Sequence, residues 1–353
     1  MDSNSIELGF LSIFALVTFF VFLIISNYSY KISKGVLLDK DFSKPQAFHQ
    51  EATSRSGGIA CIISLIFFLG IYYLLFSKIL YEYLFICFGL FFIGLLDDIK
   101  IKINPIMRLL SMIIILIVSI NLLPINISNI DLIFLNLWLE NKIFSTIFVI
   151  LCFLFIINGA NLIDGFNGLL AINLTIINSI LLFINLDNNQ IEFSVFLASQ
   201  IIILLSFLLF NFPKAKIFFG DSGSYLMGSL IALNSIFTNN LNPNISSFFF
   251  CIILFYLFFE VLFSFIRKVY QKKSPVLPDN MHLHMLSYKM INKVFGVKKS
   301  NYINSIAINS VYSVLILPST YFAENSLICK YWFISLILIY ILIYFRLYRL
   351  TKN

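Results

Sequence analysis

Five polar segments interrupt an otherwise apolar chain, and their residue types point to phosphate chemistry. The segment Gly94-Leu95-Leu96-Asp97-Asp98 ends an apolar block with two adjacent carboxylates. Such neighbours repel and lose hydration at a helix end, so they require a cation or a proton nearby. Lys100, Lys102 and Arg108 follow and could neutralise them or bind phosphate. Successive helical residues point about 100° apart, so only one of the pair need face a ligand. The second segment runs from Asn158 to Leu169 and contains Asn161, Asp164, Gly165, Asn167 and Gly168. Amides three residues apart share a helix face. Oxygen ligands of this kind suit Mg²⁺, which takes few protein ligands and completes its shell with water and substrate phosphate. The third, Phe218-Phe219-Gly220-Asp221-Ser222-Gly223-Ser224, opens a helix. Its N–H groups are expected to hold a phosphate, with Asp221 offered to a metal and Phe218 to a base.

Two further segments are basic. Lys44 to Gly58 holds His49, Arg55 and the pair Gly57-Gly58, where glycine permits a tight turn or close approach to a ligand. The last begins with Glu260 inside an apolar block and continues through Arg267, Lys268, Lys272, Lys273 and Asp279 to His282-Leu283-His284. Histidines two apart point the same way on an extended segment. With no cysteine or third histidine beside them, imidazoles that bind a diphosphate or a sugar are preferred to a metal pair. Together the five segments describe a pocket for a metal and a diphosphate-bearing substrate, that is, a membrane-embedded phosphotransfer site.

The elements that must position these residues are membrane helices. The chain has 353 residues, is 60% hydrophobic and 12% charged, and has a mean hydropathy of +0.94. A soluble domain is about half apolar and about a quarter charged, so a soluble enzyme is excluded, as are a disordered and a disulfide-stapled chain. The five cysteines lie in apolar runs and read as packing residues. The expected fold is an all-α integral membrane protein, one polytopic domain over 1–353. About eleven spans are read: Leu8–Ser26, Gly58–Phe76, Leu80–Leu96, Ile106–Leu123, Ile143–Asn158, Leu169–Leu186, Phe193–Phe212, Tyr225–Phe237, Phe248–Ile266, Ile303–Phe322 and Leu327–Phe345. No block shows the alternation of a membrane barrel, and the first block reads as a retained span.

Placing the N-terminus outside and the C-terminus in the cytoplasm leaves only Lys78, Lys142 and Lys330 of the 24 lysines and arginines on the outer side. All five polar segments then face the cytoplasm, in loops 27–57, 97–105, 159–168, 213–224 and 267–302. The net charge of +7 is mainly a topology signal, and no basic stripe suggests nucleic acid.

The motifs resemble those of the polyprenyl-phosphate N-acetylhexosamine-1-phosphate transferases, a family that also includes phospho-N-acetylmuramoyl-pentapeptide transferase. The matching patterns are H-x-x-x-T-x-R-x-G-G at His49 to Gly58, G-L-L-D-D at Gly94 to Asp98, and N-x-x-N-x-x-D-G-x-x-G-L at Asn158 to Leu169. G-D-S-G-S at Gly220 to Ser224 and S-P-x-x-P-D-x-x-H-L-H at Ser274 to His284 complete them. The resemblance implies transfer of a sugar 1-phosphate from a UDP-N-acetylhexosamine to undecaprenyl phosphate, with Mg²⁺ (or Mn²⁺) and release of UMP, on the cytoplasmic face of the bacterial inner membrane. It implies Asn161 and Asp221 on the metal, Phe218 and Asn167 against the uracil, and Asp97 or Asp98 by the lipid phosphate. It places His282 and His284 at the sugar or its phosphate, and gives Asp164 a catalytic or nucleotide-binding role. His49, Arg55, Lys102, Arg108 and Arg267 are expected substrate contacts, and a homodimer is left open. Met285 and Ile106 depart from the pattern, where many relatives carry a histidine and several a lysine.

Two anionic reactants repel, so catalysis must come mainly from charge neutralisation and alignment. A lipid phosphate is already ionised near neutral pH, which favours direct in-line attack over a covalent aspartyl intermediate. A transporter is the rival from another class, disfavoured here because internal repeats and broken helices are not evident. The muramoyl-pentapeptide branch is disfavoured by the H-L-H loop.

Overall fold

The computed structural model describes residues 3–32, 34–39, 52–101, 103–127, 130–274 and 279–352. The helices are α1 (Ser3–Ile32), α2 (Gly57–Phe76), α3 (Tyr81–Asp98), α4 (Pro105–Leu122), α5 (Ile133–Leu139), α6 (Lys142–Ile163) and α7 (Leu169–Asp187). They continue as α8 (Ile191–Asn211), α9 (Gly220–Leu241), α10 (Ser247–Ile253), α11 (Phe255–Tyr270), α12 (Leu283–Phe295), α13 (Val297–Ile316) and α14 (Ser326–Lys352). A 3₁₀ turn over Leu317–Phe322 extends α13. The two short strands β1 (Leu38–Asp39) and β2 (Thr53–Ser54) pair antiparallel.

Every apolar block is helical, and several helices run past the limits set by hydropathy. The reason is that polar residues at the helix ends are paired inside the protein: α9 starts at Gly220 rather than Tyr225, and α6 runs on to Ile163. Among the described residues, eight helices are long and apolar enough to cross a bilayer, or nine when the bent α10–α11 pair is one span. The remaining two blocks, α3 and α9, are too polar to qualify. Helix α3 carries Glu82, Asp97 and Asp98, and α9 is studded with serine and asparagine. Almost all of α9 is nonetheless buried, enclosed by α2, α3, α6 and α7.

Buried amides join these central helices. Tyr83 donates its hydroxyl to Asn234 Oδ1 (2.9 Å), and Asn234 Nδ2 donates to Asn178 Oδ1 (2.9 Å) and Gln200 Oε1 (2.7 Å). One α9 side chain therefore satisfies groups on α3, α7 and α8. Asn234→Leu should lower the unfolding midpoint, because each orphaned buried polar group costs about 1–3 kcal/mol. Thermal scans read by thiol labelling of the buried Cys61 and Cys87 would measure this, and an unchanged midpoint would argue against the network.

One expectation is corrected. The span read as Phe248–Ile266 is broken, because α10 and α11 meet at Leu254 with a 77° bend. Neither glycine nor proline marks the break. It is tolerated because its freed backbone is covered by protein. Tyr312 donates its hydroxyl to the Ile253 carbonyl. Gly159 of α6 lets the α11 backbone approach so closely that a Cβ there would lie 2.2 Å from the Leu257 carbonyl oxygen.

Candidate active site

The site lies where the start of α2, the end of α3 and the start of α9 meet through backbone. Gly57 N and Gly58 N donate to the carbonyls of Phe218 (2.8 Å) and Phe219 (2.9 Å), and Ser54 bridges to Ile217. A Cβ on Gly58 would sit 2.4 Å from Gly223 N, and one on Gly94 2.4 Å from the Asp221 carbonyl oxygen. Gly220 adopts φ +73°, beside the Asp98 carboxylate. The glycines of three motifs therefore serve one contact.

This contact gives the adjacent carboxylates separate roles. Asp98 is 2% exposed and accepts from Asp221 N (3.0 Å), Ser222 N (2.9 Å) and Ser222 Oγ (2.6 Å). A carboxylate there complements the positive end of the α9 dipole. It also corrects the expectation that these N–H groups stand ready for a phosphate, since two of them are taken by Asp98. Asp97, its side chain 31% exposed, is the accessible member of the pair.

Arg108 of α4 donates to Asp221 Oδ2 (2.9 Å), lies 3.6 Å from Asp97 Oδ1 and stands over the Tyr225 ring. Arg55 binds Asp39 of β1 (2.7 Å) and reaches within 3.6 Å of Asp98. Burial opposes the Arg55 charge, but Asp39, Asp221 and Asp98 override it and raise its pKa. Asp39 was not singled out from the sequence, because strand pairing alone brings it to Arg55. His49 and Lys102 lie outside the described residues.

Asn161 of α6 donates its Nδ2 to Asp221 Oδ1 (3.1 Å) and Ser224 Oγ (3.0 Å). Its Oδ1 accepts no hydrogen bond among the described residues. Asp164, at the end of α6, likewise has no hydrogen bond or ion pair among them. Desolvation, then Asp221 and Asp98, push its carboxyl well above the ordinary range. With its folded pKa raised, the native state binds an extra proton, so stability is fullest below the unfolded pKa and is lost as pH rises through the folded one. Asp164→Asn should raise the unfolding midpoint at neutral pH and flatten that falling limb. A variant no more stable than the parent would contradict this electrostatic account.

The α6–α7 turn is held from behind. Asn167 N donates to Asn301 Oδ1 (2.8 Å), Gly168 N to Asn211 Oδ1 (2.7 Å), and Asn167 Nδ2 to the Pro213 carbonyl (2.9 Å). Phe218 is half-buried beside it in sequence to the fully stacked Phe219, whose ring lies 3.6 Å from that of Phe207. Phe166 of the same turn packs edge-on against His284, which ties this loop to the histidine segment.

His282 and His284 are both buried, with parallel rings 5.5 Å apart. Burial pushes His284 down to about 3, so it is neutral, and its Nδ1 meets the Tyr256 hydroxyl at 3.2 Å. Arg267 pairs with Asp279 (3.0 Å). Burial works to raise the Asp279 carboxyl, but the Met281 N–H with His282, Arg267 and Lys268 holds it below the usual range. Met285, in place of a further histidine, is buried, while Ile106 is exposed in the first turn of α4.

Among the described residues, no three His, Cys, Asp or Glu side chains converge into a ready-made metal cage. The fold and this acid-rich end define an integral membrane protein whose carboxylates outnumber the guanidiniums among them. Residues 80–239 match the sequence model of glycosyl transferase family 4. The chain is 31% identical over 230 residues to phospho-N-acetylmuramoyl-pentapeptide-transferase of Dictyoglomus turgidum, covering 63% of this chain and 72% of that one. This chain belongs to glycosyl transferase family 4. It is also 29% identical over 147 residues to undecaprenyl-phosphate alpha-N-acetylglucosaminyl 1-phosphate transferase of Thermotoga maritima, covering 42% and 44% of the two. A probable undecaprenyl-phosphate N-acetylglucosaminyl 1-phosphate transferase of Bacillus subtilis is 32% identical over 134 residues, 36% of each chain. The aligned part thus spans less than half of both these relatives.

Proposed function

We propose that this protein transfers an N-acetylhexosamine 1-phosphate from a UDP-sugar to undecaprenyl phosphate at the cytoplasmic face of a bacterial inner membrane, releasing UMP. The observation that carries the reading is the convergence of Asp97, Asp98, Asp164 and Asp221 with Arg55 and Arg108 at one end of the bundle. The names of the relatives support the polyprenyl phosphate and the N-acetylhexosamine. Mg²⁺ or Mn²⁺ fits the donor set, because the free Asn161 Oδ1 and the Asp221 carboxylate are hard oxygens, and such an ion needs only one or two of them. When bound, the ion would neutralise the diphosphate of the donor. Asn161 and Asp221 would hold it, with Arg108 orienting Asp221.

Arg55 and Arg108 add positive charge where the two anionic reactants approach. Asp97, the more exposed of the adjacent acids, lies nearest the lipid phosphate in this reading and acts by positioning it. Asn167 and Phe218 lie against the uracil. Arg267, with His282 and His284 behind it, serves the sugar-phosphate end. Direct attack by the lipid phosphate on the β-phosphorus breaks the diphosphate bond and expels UMP in one step, and no aspartyl intermediate is needed.

The test gives purified protein undecaprenyl phosphate and a panel of radiolabelled UDP-sugars, with and without Mg²⁺. Metal-dependent label in lipid with UMP released supports the proposal, and no transfer from any donor refutes it. The muramoyl-pentapeptide reading is favoured by the long alignment with the Dictyoglomus relative. UDP-N-acetylmuramoyl-pentapeptide therefore belongs in the panel, and its exclusive use would select that reading.

A further inference from the structure

The matched family region ends at residue 239, yet a buried polar chain beyond it runs through three elements. Glu260 of α11 is 1% exposed. Its Oε2 accepts from the Tyr340 hydroxyl of α14 (2.5 Å), and its Oε1 accepts from Leu283 N (3.2 Å). Both oxygens act as acceptors, so Glu260 is a carboxylate, and the third neighbour, His282 Nδ1 at 3.0 Å, must donate to it. A hydrogen bond to one ring nitrogen determines which tautomer is present. The other nitrogen, Nε2, then faces Asp279 Oδ1 at 3.5 Å. Asp279 in turn grips the Arg267 guanidinium, whose Nε and Nη1 are buried without partners among the described residues and whose side chain is only 9% exposed. Tyr344 of α14 donates to the Met281 carbonyl (3.0 Å), so the last helix holds the same loop at a second point.

We propose that Glu260 and Tyr340 are positioning residues: they hold the His282 ring with a proton on Nδ1 and so fix the Asp279–His284 segment that pairs with Arg267 at the sugar-phosphate end of the site. This rests on the function proposed above. The reasoning is geometric. A buried carboxylate whose acceptor sites are filled by a phenol, a backbone amide and an imidazole leaves the ring no freedom to flip. A fixed ring fixes the loop that carries Asp279. Asp279 on that loop pairs with Arg267, so its placement sets that of the guanidinium.

The chain has three histidines, which makes ¹⁵N-histidine NMR of the full-length protein in nanodiscs tractable. His282 is assigned by the signal lost in His282→Gln. The expected wild-type signal has His282 Nδ1 protonated. Glu260→Gln should lose that fixed state and lower kcat roughly 10- to 100-fold, the range typical when a histidine loses its orienting carboxylate. Tyr340→Phe should move both readouts the same way by less, and Tyr344→Phe should leave the tautomer unchanged. An unaltered His282 signal in Glu260→Gln overturns the proposal, and so does a lost tautomer with wild-type kcat. If Glu260→Gln does not fold, the Tyr340→Phe pair of readouts decides in the same terms. If no donor in the panel is used, the functional reading falls, and a His282 with Nδ1 unprotonated in the wild-type protein would overturn this inference independently.

Discussion

Asp221→Ala is expected to reduce metal-dependent transfer by about 10³-fold, the scale seen when a preorganised charge-stabilising group is removed. The argument separates chemistry from folding. What Asp221 gives the fold is its backbone: its N–H donates to Asp98, and its carbonyl packs against Gly94. An alanine keeps both. What it gives the site is a carboxylate joining Arg108, Asn161 and, in the proposed function, the metal. Without that carboxylate, Arg108 retains Asp97 and the Tyr225 ring, and Asn161 retains Ser224. The radiolabel assay measures the loss, and a thermal scan verifies that the variant is folded. Turnover above a tenth of wild type in a folded variant would remove Asp221 from the metal.

Gly94→Ala should be nearly as damaging by a different route. Its new methyl would lie 2.4 Å from the Asp221 carbonyl oxygen and 2.5 Å from Ser222 N. Both are backbone atoms, so no rotamer change relieves the clash, and α3 must move away from α9. Overpacking of this kind costs about 1–3 kcal/mol. The same movement draws Asp98 off its three donors at the start of α9 and carries Asp97 away from Arg108. Loss of stability and loss of activity are therefore coupled. The control is Gly70→Ala on α2, where nothing lies within 4 Å of the new methyl and no loss is expected. A fully active, equally stable Gly94→Ala protein would show that the close approach of α3 and α9 is dispensable.

The helices and the clustering of acids were legible because both depend on local composition. Asp97, Asp98, Asn161, Asp164 and Asp221 come together as their shared polar character at block ends suggests. Three features were hidden, each for a stated reason. The break at Leu254 follows from a hydroxyl on α13 and a glycine on α6, and neither lies near it in sequence. The division of labour between Asp97 and Asp98 depends on the rotation of α3 against α9, which adjacency leaves open. The tie from Tyr340 to Glu260 spans 80 positions inside an apolar run where a tyrosine looks like packing. Where two N–H groups at the start of α9 look available for an anion, a carboxylate from another helix already occupies them.

Helix α9 is studded with serine and asparagine and is the most fully enclosed of the set, and α3 packs its acidic end against it. The serines and amides of α9 are unfavourable in lipid, so it needs its neighbours to hold it there. Its entry into the bilayer during synthesis is expected to be cooperative, with α9 received by α2, α3, α6 and α7 already in place. Assembly order is thus written into the same helix that opens the candidate site. A truncated chain ending after α9 should integrate that segment more efficiently with α3 and α6 present than when α9 is tested alone as an isolated hydrophobic stretch.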